Sequence, residues 1–179
     1  MQANESALVL VDYQRRLLPA IHQGAAALSR AVLLADAARE LGVPVYGTEQ
    51  NPLGLGPADE SIRSRCDGIL PKMHFDACRD GLPDLLRSQA GAPVKDVVIA
   101  GCEAHVCLLQ SAIGLLRAGF GVWVVADASG SRLAANHALA MQRLQTCGAT
   151  VVGSEMVVFE WMQTCGHPRF RHLLALLKR

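Results

Sequence analysis

Short runs of aliphatic and β-branched residues, spaced to leave room for a helix between them, constrain this chain more than any other feature. "SALVLVD" (Ser6–Asp12), "VPVYGT" (Val43–Thr48), "DVVIAG" (Asp96–Gly101), "GVWVVAD" (Gly121–Asp127) and "ATVVG" (Ala149–Gly153) are each too short for a helix. They are also too uniformly apolar for strands with one wet face, so they read as strands buried on both sides. "DGILPK" (Asp67–Lys72) reads as a sixth, weaker strand, because Pro71 lacks the N–H that pairing requires. Between the strands, Gly24–Leu41, Ala104–Gly119 and Ser131–Gly148 carry helical periodicity, and each closes on or beside a glycine. Two more helices are expected over Ser154–Thr164 and His167–Arg179. Strand, helix, strand in this cadence predicts an α/β fold: a parallel sheet with helices on both faces.

At 179 residues the chain forms one domain, 1–179, large enough for a core without staples. A net charge of +1 with 18% charged residues gives no electrostatic case for nucleic acid or a membrane surface. No apolar run approaches the roughly 20 residues that span a bilayer. The start, "MQANESALVL", lacks the basic and long apolar segments of a signal peptide, so a cytoplasmic location is expected. In that reducing compartment the six cysteines (Cys66, Cys78, Cys102, Cys107, Cys147, Cys165) read as free thiols.

Parallel sheets bind ligands beyond the carboxyl ends of their strands, near the point where strand order reverses. Asp12 follows the first strand, either as a helix cap or as a partly desolvated carboxylate able to take a proton. Lys72 closes the weak strand, either as a solvated surface charge or held among Leu70, Pro71, Met73 and Phe75. Cys107 falls in the first turn of the helix after Gly101. It either packs that helix onto the sheet or is a thiol whose pKa the helix N-terminus and a nearby cation depress. Cys102, His105 and Cys107 have no second cluster to complete a zinc site, and Cys102 with Cys107 is not a Cys-x-x-Cys redox pair. "NPLGLGPADE" (Asn51–Glu60) lacks the lysine of a phosphate loop, and a turn built by Gly and Pro accounts for it.

With Asp12, Lys72 and "GCEAHVCLLQSAIGLLRAGFGVWVVADASGSR" in place, the chain resembles the isochorismatase-like cysteine hydrolases over nearly its whole length. "TEQNP" and "GCEAHVC" point to the YcaC-related branch, which includes the isochorismatase domain-containing proteins of animals. The resemblance implies a three-layer α/β/α, Rossmann-like fold with a mostly parallel six-stranded sheet. It implies a catalytic triad of Asp12, Lys72 and Cys107. It also implies a non-proline cis peptide between Cys102 and Glu103, aiming the Glu103 N–H, with that of Cys107, at an oxyanion. Nicotinamidases of this superfamily hold a metal after the second strand; this chain has Thr48, Glu49, Gln50 and Asn51 there. Neither a metal nor a cofactor is therefore expected. Isochorismatase proper lacks the nucleophilic cysteine, so the family name does not carry over as the activity.

The reaction expected is acyl transfer to Cys107, with Asp12 as general base and acid, Lys72 as charge stabiliser and a small amide as substrate. Glu49 and Gln50 are candidates for contact with substrate or an adjoining subunit, Phe75 for a substrate wall, and Glu103 and His105 for lining the pocket or anchoring its loop. Trp161 and Phe159 fit a helix face packed on the core or on a neighbour, and the four remaining cysteines read as small buried hydrophobes. The apolar C-terminal helices suggest a homo-oligomer. Rival readings are a catalytically silent oligomeric module on the same fold and a nucleotide-binding Rossmann domain.

Overall fold

The computed structural model describes residues 1–88 and 92–178. Six strands form one sheet: β1 (Ser6–Val11), β2 (Val45–Gln50), β3 (Gly68–Lys72), β4 (Asp96–Gly101), β5 (Gly121–Val125) and β6 (Thr150–Val152). Their order is β3-β2-β1-β4-β5-β6, and every pairing is parallel. The helices are α1 (Gly24–Glu40), α2 (Pro52–Leu55), α3 (Glu60–Arg63), α4 (Leu82–Arg87), α5 (Leu109–Arg117), α6 (Ala134–Thr146), α7 (Ser154–Met162) and α8 (Phe170–Leu177). The last was expected to reach Arg179, which lies outside the described residues. None of these helices is long and apolar enough to cross a membrane.

The period of two along each strand splits the apolar side chains between two cores. Leu8 and Leu10 of β1 pack with Leu34 of α1, Trp161 of α7 and Leu173 of α8. Ala7, Val9 and Val11 face the other way, onto Leu82 of α4, Leu115 of α5 and Leu144 of α6. Helices thus cover both faces, which is why β1 is buried at all six positions and reads as a continuous apolar run. Pro71 is tolerated because β3 is an edge strand, paired only with β2.

β2 differs from expectation at its far end. It runs to Gln50 rather than stopping at Thr48, for two reasons. On one side β3 continues to pair, Glu49 with Pro71 and Gln50 with Lys72. On the other, β1 turns away at Asp12 (φ 54°), and the side-chain amide of buried Gln14 replaces the missing strand. Gln14 Oε1 accepts the Gln50 N–H (2.9 Å), and Gln14 Nε2 donates to the Gln50 carbonyl (3.0 Å).

The chain runs outward from β1 to β3, then returns to place β4 on the opposite side of β1. The carboxyl ends of β1 and β4 therefore open the crevice where such sheets bind ligands. Only glycine fits at the end of β4, because a Cβ on Gly101 would lie 2.3 Å from the Val11 carbonyl oxygen.

Candidate active site

Asp12 is the first residue beyond β1, in the left-handed region, with its side chain fully buried. Asp is among the few non-glycine residues that adopt this conformation readily. The left-handed step turns the chain out of the sheet and leaves the carboxylate over the strand ends. Lys72 closes β3 in register with Gln50. Its buried ammonium donates to Asp12 Oδ2 (2.8 Å), Gln50 Oε1 (2.6 Å) and, at a longer 3.4 Å, the His74 carbonyl. Three N–H bonds thus meet three acceptors. Thr48 lies two residues before Gln50 and so on the same face, and its hydroxyl donates to Asp12 Oδ1 (2.6 Å).

Cys107 sits in a π-helical turn, Ala104–Leu108, that leads into α5. Turns of this kind occur often at functional sites. Its thiol, 6% exposed, donates to Gln50 Oε1 at 3.8 Å, a long bond even for sulfur. Asp12, Lys72 and Cys107, 95 residues apart at the extremes, therefore meet around one glutamine side chain. Burial pushes the Cys107 thiol up, the Asp12 carboxylate pushes it further, and Lys72 pulls it part of the way back, leaving it at about 12. That corrects the depressed pKa expected from a helix start beside a cation. The ammonium is already matched by Asp12, so burial is left without a net positive charge to oppose it.

The peptide bond between Cys102 and Glu103 is cis. Around it the loop is pinned to the segment after β5. The Gly130 carbonyl accepts the Ala104 N–H (2.7 Å), and Glu103 Oε2 accepts from the Arg132 N–H (3.0 Å) and Nε (2.9 Å). His105 Nδ1 is 3.0 Å from Ser131 Oγ. Glu103 and His105 therefore hold the loop that carries Cys107 in place. Glu49 points away from Gln50, as strand alternation requires, and its carboxylate binds the Ala58 N–H (2.9 Å) and Arg63 (2.7 Å). It secures the loop after β2 and is not brought to Asp12, Lys72 and Cys107. Phe75 is half exposed, and its carbonyl accepts from Ser111 Oγ of α5 (3.3 Å). A cavity of about 260 Å³ beside Lys72 is lined by Asn51, Pro52, Leu53, Pro71, Met73 and Asp80.

Thr48 and Gln14 were not singled out from the sequence as partners of the site. The period of two in "GTEQ" carries the signal for Thr48, once β2 is known to reach Gln50. Nothing local marks Gln14. Trp161 is buried in the core, whereas Phe159 is partly exposed. The reading of the four spare cysteines as buried needs correction: Cys66 and Cys78 are only partly buried, and Cys147 and Cys165, which lie past the ends of helices, are exposed. All six thiols are free.

The Isochorismatase domain model matches residues 6–156. The chain belongs to the isochorismatase family. Isochorismatase domain-containing protein 1 of Danio rerio is 35% identical over 169 residues, which cover 93% of this chain and 59% of that protein. The chain thus spans less than two thirds of that relative. Among solved structures, MAR1 ribonuclease from Caenorhabditis elegans superposes with a TM-score of 0.93 at 30% identity, over 100% of this chain and 92% of that one. The YcaC gene product from Escherichia coli, described as an octameric hydrolase of unknown specificity, superposes with a TM-score of 0.84 at 22% identity. That likeness, over 99% of this chain and 96% of YcaC, is one of fold. Within this isochorismatase-family chain, no group of three or more His, Cys, Asp or Glu side chains is placed to hold a metal among the described residues.

Proposed function

We propose that this protein is a cysteine hydrolase acting on a small amide through a thioester on Cys107. The observation that carries the reading is the fully buried Lys72–Asp12 pair (2.8 Å) set against the Cys107 thiol. A buried ion pair is weak support for stability, since two well-packed apolar residues often serve as well. Its presence at the switch point of a parallel sheet, beside a thiol, supports a chemical role.

With its pKa near 12 the resting thiol is protonated, so attack requires a base in the same step. Asp12 takes the proton as Sγ meets the carbonyl carbon, and Lys72 offsets the charge that develops on sulfur. The N–H groups of Glu103 and Cys107 meet the oxyanion, where one such donor is worth roughly 3–4 kcal/mol. The amine leaves with the proton from Asp12, and water then attacks the thioester, returning the thiol and releasing a carboxylic acid. The protein works in the cytoplasm as a homo-oligomer in this reading. YcaC is described as an octamer, and Leu133, Leu139, Met156 and Phe159 give α6, α7 and their ends exposed apolar surface to cover.

That same surface favours one alternative, a catalytically silent oligomeric module. Turnover of a panel of small amides, with Cys107→Ala as the blank and oligomer size measured alongside, separates the two. Hydrolysis lost in the variant at unchanged oligomer size supports the enzyme; absence of turnover across the panel supports the module. The ribonuclease relative makes RNA a necessary further substrate in the panel, although a net charge of +1 offers little attraction to a polyanion.

A further inference from the structure

Gln50 is held from every side. Gln14 engages its backbone N–H and carbonyl, and its own Nε2 donates to the Met73 carbonyl (2.8 Å). With Nε2 committed there, Oε1 is the atom that faces Lys72, the orientation in which an acceptor rather than a donor meets the ammonium. Oε1 accepts from Lys72 Nζ (2.6 Å) and from Cys107 Sγ–H (3.8 Å). A carbonyl oxygen has two lone pairs: Lys72 takes one, and the thiol reaches the other only weakly, because its single hydrogen is shared with Asp12. Acylation frees one of them: once Sγ gives up its proton, the sulfur has nothing left to donate. The second lone pair, buried beside the atom at which the new bond forms, then loses the thiol as its donor while Lys72 keeps the first, and a substrate N–H placed there fills it.

We propose that Gln50 Oε1 accepts an N–H of the substrate at this point, so that the site selects N–H-bearing carboxamides over esters of the same acyl group. The inference rests on the cysteine-hydrolase reading above. In the step, the Sγ–C bond forms as the carbonyl π pair moves to oxygen and the Sγ proton passes to Asp12. Collapse re-forms the carbonyl and breaks the C–N bond, and nitrogen leaves with the proton from Asp12 as a neutral amine. An ester oxygen in the leaving position brings lone pairs toward Oε1 and no donor. The charges nearby agree with an uncharged substrate. Lys72 is matched by Asp12, Glu103 by Arg132 and Glu49 by Arg63, while the Asp80 carboxylate accepts the neutral backbone N–H of His74 and so disfavours an anion.

The test compares the p-nitroanilide and the p-nitrophenyl ester of one small acyl group on wild type, Gln50→Leu and Gln50→Glu. kcat and KM are measured separately, with thermal melting as a check on folding. In Gln50→Leu the anilide-to-ester ratio of kcat/KM falls roughly five- to tenfold, the size of one hydrogen bond. Gln50→Glu retains an acceptor oxygen and keeps the ratio within about twofold of wild type. If Gln50→Leu does not fold, Gln50→Met takes its place. Equal losses on both substrates would assign Gln50 to positioning Lys72 alone and overturn the selection while leaving the hydrolase intact. A wild type that turns over neither, with no acyl group on Cys107, overturns the hydrolase reading and the selection together.

Discussion

Lys72→Met tests the heart of the site through stability, without knowledge of the substrate. Methionine fills much of the lysine stem's volume, so packing changes little. What is lost is an ammonium that donates to Asp12 Oδ2, Gln50 Oε1 and the His74 carbonyl, leaving a fully buried carboxylate without its counter-charge. Removing one partner of a buried pair costs about 3–5 kcal/mol. For a chain of this size that lowers Tm by roughly 6–20 °C. In Asp12→Asn/Lys72→Met both charges go, and the introduced amide can still accept from the Thr48 hydroxyl. The double variant therefore recovers to within about 2 kcal/mol of wild type, although it contains more changes. Urea unfolding at neutral pH, with the m-value held as a check on the unfolded state, measures both. A Lys72→Met protein within about 1 kcal/mol of wild type would refute the reasoning. So would a double variant whose loss equals the sum of the single losses.

Four further outcomes are expected. Because the folded state holds the Cys107 thiol at about 12, the unfolded chain releases that proton first as pH rises past its ordinary value near 9. Stability tied to Cys107 is thus intact below pH 9 and lost between pH 9 and 12, so Cys107→Ala gains about 1–2 kcal/mol on wild type between pH 8 and 10.5 in paired urea titrations. Iodoacetamide at neutral pH, followed by peptide mass spectrometry, labels exposed Cys147 and Cys165 before Cys107; faster labelling of Cys107 would contradict a protonated resting thiol. Thr48→Val deletes the donor to Asp12 Oδ1 and costs about 1–3 kcal/mol in chemical denaturation, with kcat reduced in any assay that detects turnover. Gln14→Leu leaves the N–H and carbonyl of Gln50 without partners. It should destabilise by about 2–4 kcal/mol, and amide exchange at Gln50 should accelerate.

The fold was legible because central parallel strands have no polar face: β1 and β4 declare themselves by unbroken aliphatic runs. Their boundaries were less so. β2 stops being apolar at Thr48 but continues to Gln50, since what sustains it there is the Lys72 register on one side and a side chain from Gln14 on the other. Neither is written in local hydrophobicity. The site residues at strand ends could be nominated from topology, and the resemblance selected among them. The direction of the Cys107 pKa could not be anticipated from a helix start and a cation, because it depends on how completely Asp12 matches that cation and how deeply the sulfur is buried. The split between Glu49 and Gln50 follows from strand alternation alone. It became visible only once the strand was seen to include them.

A covalent acyl group on Cys107 is the most direct measure of the claim that an acid, an ammonium and a sulfur act here as one unit. Wild-type protein mixed with a reactive amide or its activated ester, quenched in acid within the first turnovers and digested, should yield the Cys107 peptide heavier by the acyl group. The adduct should be discharged by hydroxylamine and absent from Cys107→Ala. Turnover that proceeds with no adduct on that peptide, and persists in Cys107→Ala, would contradict the account.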